Sequence, residues 1–155
     1  MDDCRGQTYD NAANMAGKYS GVQARVLETN GRAVFIPCMA HSLNLVGISA
    51  VESCVEAVTF FGCIQKLYTF FSASSLRWQF LKEKLTGCGG SGSHGIYLPK
   101  RLNDTRWSAH AEAVKSLSVH YDAYIELLQT IADSPEQKAQ VREEALSLCK
   151  CLRRL

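Results

Sequence analysis

Hydrophobic side chains recur with helical spacing near the start of the chain, through residues 11–27. The residues on this predicted face are Met15, Tyr19, Val22 and Val26. Their separations of three and four residues are typical of an amphipathic helix. Residues 29–32, Thr-Asn-Gly-Arg, predict a turn, because Asn-Gly accepts positive φ at low cost. The wholly apolar stretch 33–36 predicts a short buried strand, which Pro37 ends.

A long helical tract follows, from about residue 40 to residue 85. Apolar side chains lie on nearly every side of its first half, which is typical of a helix buried in a core. A break is expected at residues 72–75, Ser-Ala-Ser-Ser. Charged and amide side chains interrupt the apolar run within residues 43–71, so we expect a buried helix pair and no membrane span. Residues 86–97 are rich in glycine and serine and predict a linker.

The pattern beyond this linker predicts two helices. Apolar residues recur every three or four positions from Trp107 to Ala132, which indicates a single helix of about seven turns. Asn103, Asp104 or Thr105 is available to cap it. Residues 134–137, Ser-Pro-Glu-Gln, have the form of a capping box and predict the start of a last helix that runs to the C-terminus.

The predicted fold is therefore mainly α with one or two short strands. Residues 4–9 are a weak candidate for the second strand. A single strand cannot form a sheet, so residues 33–36 need partners that this sequence does not clearly supply. We expect an incomplete α/β core over residues 1–85, the linker at 86–97 and a helical region over 98–155, with most of the sheet upstream.

Composition and charge narrow the function classes. The chain has 155 residues, 46% of them hydrophobic, which is enough for one ordinary globular domain. Its formal net charge is only +2, so it lacks the strong overall basic field of an autonomous nucleic-acid binder. Seven cysteines, an odd number without regular spacing, and the absence of an apolar leader favour reduced intracellular thiols.

Asp10 is the first candidate for chemistry, within the stretch "CRGQTYDNAANMAGKYSGVQ". A carboxylate at the end of a strand can serve as a ligand for Mg²⁺, which prefers oxygen donors. Two metal ions about 4 Å apart need several carboxylates, and one aspartate cannot hold them. Considered locally, the spacing favours an ordinary N-cap of the helix that follows over a metal ligand as the role of Asp10.

Two further pairs are candidates. Cys38 and His41, as Cys-Met-Ala-His, can face one point where a strand turns into a helix, although a structural zinc site needs two more ligands. A Cys/His dyad and simple packing are the other interpretations of this pair. Arg106 and Trp107 can hold a phosphate and stack on an unpaired base, or Trp107 can belong to the apolar face of its helix. Arg101 lies in the same basic stretch.

These motifs together resemble hAT-family transposases, over roughly residues 4–130. The matching segments are Asp10–Met15, Pro37–Leu45 and Thr105–Ser108, in the order and rough spacing of the family. The first segment, with the residues before it, is similar to the transposon-derived group of zinc finger MYM-type proteins within it. The resemblance implies an RNase H-like core interrupted by a helical insertion, which cuts and rejoins DNA with three acidic residues and Mg²⁺ or Mn²⁺.

The resemblance also implies roles for individual residues. Asp10 matches the second acidic residue, and Cys38 and His41 match a motif beside the active site. Arg106 and Trp107 match a motif that supports a flipped base or hairpin end. The first and third acidic residues have no counterpart here, so we expect no metal bound by this chain alone and no nuclease activity. DNA would be the partner of the intact protein, in the nucleus, with other proteins or further copies bound through regions outside this chain.

Three functional hypotheses remain open from the sequence. The chain is a fragment of a hAT-type transposase, possibly a domesticated one, that is inactive on its own. Alternatively, it is a non-catalytic protein- or DNA-interaction module derived from a transposase, with the helices at 106–132 and 135–153 as its surface. The third hypothesis is a small zinc protein built on Cys38 and His41.

Overall fold

The computed structural model describes residues 1–88, 97–103 and 106–154. Within these ranges the chain is mainly helical with two short parallel strands, which confirms the coarse fold class. The elements are β1 (Gly6–Gln7), α1 (Ala13–Ala16), α2 (Val22–Thr29), β2 (Val34–Phe35), α3 (Met39–Glu52), α4 (Val55–Ser72), α5 (Ser75–Cys88), α6 (Trp107–Val119), α7 (Tyr121–Asp133) and α8 (Ala139–Leu152).

The chain divides into two compact units. The first contains residues 1–50 together with Arg106 and Trp107, and the second contains the other described residues. The expected domain limits at 86–97 stay a prediction, since residues 89–96 lie outside the described part of the chain. The first three residues of the predicted linker continue α5, which ends at Cys88.

The first unit is built around a parallel β-α-β arrangement. β1 and β2 pair in parallel, with Gly6 opposite Val34 and Gln7 opposite Phe35. The weakly predicted strand within residues 4–9 is therefore present. Backbone N–H groups of residues 34, 36 and 38 donate to the carbonyls of residues 5, 7 and 9, at 3.2, 2.9 and 2.9 Å. This hydrogen-bonded ladder is longer than the strands themselves.

Polar side chains hold the first unit together. Gln7, which is 8% exposed, donates from Nε2 to the carbonyls of Gln23 (3.2 Å) and Ala33 (2.9 Å). Asn30, 7% exposed, donates from Nδ2 to the carbonyls of Met1 and Cys4, both at 2.9 Å. Buried backbone carbonyls need such partners, so these two amides connect both ends of the β-α-β segment.

The helix predicted over residues 11–27 is wrong in its middle. α1 ends at Ala16 and α2 begins at Val22, so the chain turns through residues 17–21. The reason is a close approach of Gly21 to Gly17, whose carbonyl accepts the Gly21 N–H at 3.0 Å. A Cβ on Gly21 would lie 2.6 Å from the backbone nitrogen and oxygen of Gly17, which only glycine avoids.

Two predictions of burial are also wrong. Val34 and Ile36 are 58% and 57% exposed, although residues 33–36 were expected to form a buried strand; only Ala33 is fully buried. α3 was expected to lie in a core, yet it contains no buried residue. Two strands and two short helices offer too few side chains to cover both faces of the sheet and all sides of α3.

The second unit is a helical assembly with one apolar core. α4, α5, α7 and α8 surround it, and α6 contributes through its residues after Trp107. Its largest fully buried side chains are Tyr124, Phe70, Phe71, Leu67, Leu81, Leu85, Leu128 and Leu152. The Tyr124 hydroxyl lies 2.9 Å from the hydroxyl of Ser116, which also donates to the Tyr97 carbonyl at 2.7 Å. Burial raises the pKa of Tyr124 to about 12, partly offset by the Ser116 hydrogen bond.

Three predicted helix limits in this region need correction. The tract from residue 40 is interrupted once more, at Cys54, whose backbone is extended. The single helix predicted from Trp107 to Ala132 is two helices, because His120 leaves the helical conformation between α6 and α7. Ser134 ends α7 and turns the chain, so α8 begins only at Ala139 and the predicted capping box is absent. Asp104 and Thr105, two of the predicted caps, lie outside the described residues.

A search of the described helices for membrane spans finds no single one that is long and apolar enough. One pair of consecutive helices, Met39–Glu52 and Val55–Ser72, is long and apolar enough when counted together, but the two helices are bent by 105° where they meet.

Candidate functional site

The parallel pairing of β1 and β2 determines where the candidate residues meet. In a parallel sheet the carboxyl ends of neighbouring strands lie at the same edge, where ligands commonly bind. The Cys38 N–H donates to the Tyr9 carbonyl at 2.9 Å, so the ladder continues to the last residue before Asp10. Asp10 and Cys38 therefore leave the sheet side by side, although 28 positions separate them in the sequence numbering.

Asp10 is exposed and its carboxylate is only lightly engaged. Oδ1 accepts the backbone N–H of Ala12 at 3.2 Å. This is a local turn of the kind that aspartate often forms before a helix. The N-cap of α1 is Ala12, without a side-chain cap, so Asp10 is not the N-cap of the helix that follows it. The carboxylate keeps unused acceptor positions for a ligand.

Cys38 and His41 stand at the start of α3. The Cys38 carbonyl accepts both the backbone N–H (3.0 Å) and the hydroxyl (3.2 Å) of Ser42, which fixes the first turn of the helix. Both candidate side chains are half-buried. With Asp10 and Arg106 they line one cleft of about 700 Å³, together with Asn11, Ala12, Ala40, Asn44 and Leu45.

Trp107 is held against α3 by two neighbours that the sequence did not single out. Asn44 Oδ1 accepts the Trp107 backbone N–H at 2.7 Å, and Asn44 Nδ2 donates to the Ala40 carbonyl at 2.7 Å. The indole faces Gly47, where an added Cβ would lie 3.1 Å from Cγ and Cδ2. Trp107 is 37% exposed. A glycine inside an apolar helix often marks such a close approach, and this signal could have identified Gly47.

Arg106 is the cation of the cleft. It is exposed and forms no ion pair with any described residue. An unpaired guanidinium can bind a phosphate through two parallel hydrogen bonds. Arg101 is also exposed, but it belongs to the second unit and is not among the residues that line the cleft.

The cleft residues do not fit a pair of metal ions. Asp10 is the one carboxylate among the residues that line the cleft, whereas two ions need several bridging and flanking carboxylates. Nor do Cys38 and His41 find partners for zinc, since no group of three or more histidine, cysteine or acidic residues gathers within the part of the chain that is described. The cleft suits an anion beside Arg106. Trp107 is not among the residues that line the cleft, and its indole lies against Gly47.

No protein-family model and no solved structure matches this chain.

Proposed function

We propose that this chain is part of the RNase H-like core of a hAT-type transposase, leading into its helical insertion, and that it contacts DNA without cutting it. One observation carries this proposal. Three motifs far apart in the sequence contribute Asp10, Cys38, His41 and Arg106 to a single cleft. The same motifs, in the same order, carry the resemblance to that family. Chance matches would have no reason to meet in space.

The incomplete sheet of the first unit supports the same proposal. Parallel strands usually lie in sheets that are covered on both faces. On one face of the two-stranded sheet, the Gln7 amide donates a hydrogen bond to the Gln23 carbonyl of α2. On the other face, the side chains of Val34 and Ile36 are each more than half exposed. Two paired strands are also fewer than an independent sheet needs. A larger sheet with a covering layer would bury these side chains.

The proposed contacts with DNA follow from the chemistry of the cleft and of Trp107, the residue after Arg106. Arg106 would bind a backbone phosphate, and the partly exposed indole of Trp107 would stack on an unpaired base. Asn44 and Gly47 would act as positioning residues, since they fix the backbone and the ring plane of Trp107. Asp10 would supply one of the acidic residues of the complete protein.

The first test measures the binding of a labelled single-stranded oligonucleotide and of the matching duplex by fluorescence anisotropy. Arg106→Gln should weaken both and reduce the slope of affinity against salt by about one ion. Trp107→Ala should weaken single-stranded binding more than duplex binding. The matched control is Arg25→Gln, an exposed arginine of α2 that does not line the cleft. Equal losses for the two arginine variants would contradict a specific role for the cleft.

The second test separates a silent fragment from an active enzyme. The chain is incubated with supercoiled DNA and Mg²⁺ or Mn²⁺, and we expect no nicking, because the cleft supplies one carboxylate. Cleavage that Asp10→Ala abolishes would overturn this expectation. Binding without cleavage would agree equally with a domesticated, non-catalytic DNA-interaction module. A nuclear location of a fluorescent fusion is expected in both cases.

A further inference from the structure

Two cysteine side chains meet where α4 packs against α8. Cys63 lies in the middle of α4, and Cys151 lies near the end of α8, 88 positions later in the sequence numbering. Their thiols are hydrogen-bonded to each other, and neither belongs to a disulfide. Cys63 is part of the apolar core of the second unit, and Cys151 packs against that core. Contact between the two thiols satisfies the first requirement for a disulfide, which is that the side chains converge.

The neighbouring Cys149 of α8 is not the partner of Cys63. Residues two apart on a helix are rotated by roughly 200° about its axis, so Cys149 and Cys151 leave α8 in different directions. Cys149 is 4% exposed and belongs to the core, but the thiol that is hydrogen-bonded to Cys63 is that of Cys151. Cys149 therefore provides a comparison position on the same helix.

The two thiols differ in their access to solvent, and this difference decides which of them reacts first. Cys63 is 2% exposed, whereas Cys151 is half-buried. Burial, and after it the hydrogen bond to Cys151, raises the pKa of the Cys63 thiol above its usual range, and the positive charge of Lys66 offsets this only in part. Because the thiolate is the reactive form, Cys63 is a poor first target for an oxidant. A small oxidant should therefore react first at Cys151.

We propose that Cys63 and Cys151 are an oxidation-sensitive pair, which hydrogen peroxide converts into a disulfide that joins α4 to α8. The Cys151 thiolate attacks one oxygen of the peroxide and breaks the O–O bond. Cys151 is oxidised to a sulfenic acid, and the other oxygen leaves as hydroxide, which takes a proton from solvent to form water. The Cys63 sulfur then attacks the Cys151 sulfur, the S–O bond breaks, and the hydroxyl group leaves with the Cys63 proton as a second water. This proposal does not depend on the proposed function.

The burial of Cys63 would also make the disulfide slow to reduce. A thiol reductant reaches the sulfur of Cys151, since that of Cys63 is almost fully covered. Attack at Cys151 must expel the Cys63 thiolate, whose raised pKa makes it a poor leaving group. The bond would close a long loop between the two helices and so restrict the unfolded chain. Oxidation should thus stabilise the second unit, and the effect should outlast the oxidant.

The test is peptide mapping by mass spectrometry of the full chain after brief treatment with hydrogen peroxide and alkylation of the remaining thiols, without reduction. The wild-type chain should give a cross-linked peptide pair that contains Cys63 and Cys151. Cys63→Ala should remove this cross-link and leave Cys151 as a sulfenic acid that dimedone traps. The matched controls are Cys149→Ala, on the same helix, and Cys54→Ala, at an exposed cysteine, and both should keep the cross-link. Circular dichroism should show that each variant keeps the helical content of the wild type.

The order of oxidation and its effect on stability are measured separately. In the Cys151→Ala chain, Cys63 should be oxidised more slowly than Cys151 in the wild type, by about tenfold or more. Urea should unfold the oxidised wild-type chain at a higher concentration than the reduced chain, and Cys151→Ala should abolish this shift. A cross-link from Cys63 to Cys149, a cross-link between two chains, or oxidation of wild-type Cys151 to a sulfinic acid without any cross-link would each overturn the proposal.

Discussion

Replacing Gly47 by alanine tests how the indole of Trp107 is placed on α3. Two effects of opposite sign compete. Alanine is favoured over glycine inside a helix by about 1 kcal/mol. The new methyl group, however, would lie 3.1 Å from Cγ and Cδ2 of the indole, closer than the roughly 3.5–4.0 Å at which carbon atoms pack. Because Trp107 is partly exposed, the ring can shift by a few tenths of an ångström.

The magnitude follows from comparing two glycines. A Cβ added to Gly62, in α4, would meet nothing within 4 Å. Gly62→Ala should therefore stabilise its unit by about 1 kcal/mol, the helix propensity alone. For Gly47→Ala the displaced indole should cancel most of that gain, since crowding costs about 1 kcal/mol or more even where a side chain can give way. We expect a change near zero in the free energy of unfolding.

The assay is fluorine NMR of the chain labelled with 5-fluorotryptophan. The two tryptophans, Trp78 and Trp107, give one resonance each, and Trp107→Phe assigns them. Gly47→Ala should move the Trp107 resonance and leave that of Trp78 in place, and urea titrations followed at each resonance give the free energies. If Gly47→Ala stabilised as much as Gly62→Ala and left the Trp107 resonance unmoved, the contact between the indole and α3 would be refuted.

Three further predictions concern stability. Gln7→Leu should destabilise the first unit by roughly 2–4 kcal/mol, since two buried carbonyls lose their donor. Hydrogen exchange of the backbone amides in β1 and β2 measures this loss, and unchanged protection of these amides would contradict it. Raising the pH from 10 to 12 should destabilise the second unit by an amount on the order of 2 kcal/mol, because the unfolded state releases the Tyr124 proton first. Tyr124→Phe should make the free energy of unfolding, measured by chemical denaturation, depend less on pH between 10 and 12. The variant should itself be less stable by about 1 kcal/mol, because the hydrogen bond to Ser116 is lost. Leu128→Ala, at a fully buried position, should cost about 2–5 kcal/mol in urea unfolding; a loss below 1 kcal/mol would place that leucine outside the core.

The sequence predicts element types better than element limits. Periodic apolar spacing identifies the helical regions, and the uncharged stretch before Pro37 identifies a strand. The interruptions at Cys54 and His120 carry no glycine or proline, so no local signal in the sequence predicts them. Burial was overestimated in the first unit, because an apolar pattern predicts a buried face whether or not the chain supplies the layer that covers it.

The candidate site depends on long-range pairing and was only partly accessible from sequence. The motifs predict Asp10, Cys38, His41 and Arg106 as candidate site residues. The pairing of β1 with β2 explains why Asp10 and Cys38 lie side by side. Asn44 lies within the matching segment Pro37–Leu45, but the sequence does not indicate its role. The structure shows that role, a hydrogen bond from the Trp107 backbone N–H to Asn44 Oδ1. Such a bond joins residues far apart in the chain, which no local spacing predicts.

The first unit is held together mainly by hydrogen bonds of polar side chains, and this affects how its free energy of unfolding depends on temperature. Its fully covered apolar side chains are small, Ala24 and Ala33, whereas the second unit buries several leucines and aromatic rings. The heat capacity increment of unfolding scales with the apolar area that becomes exposed, and the dependence on denaturant scales with the total area. The curve of the first unit's free energy of unfolding against temperature should thus be less strongly bent than that of the second unit. A calorimeter would register a smaller step in heat capacity when the first unit unfolds than when the second unit does.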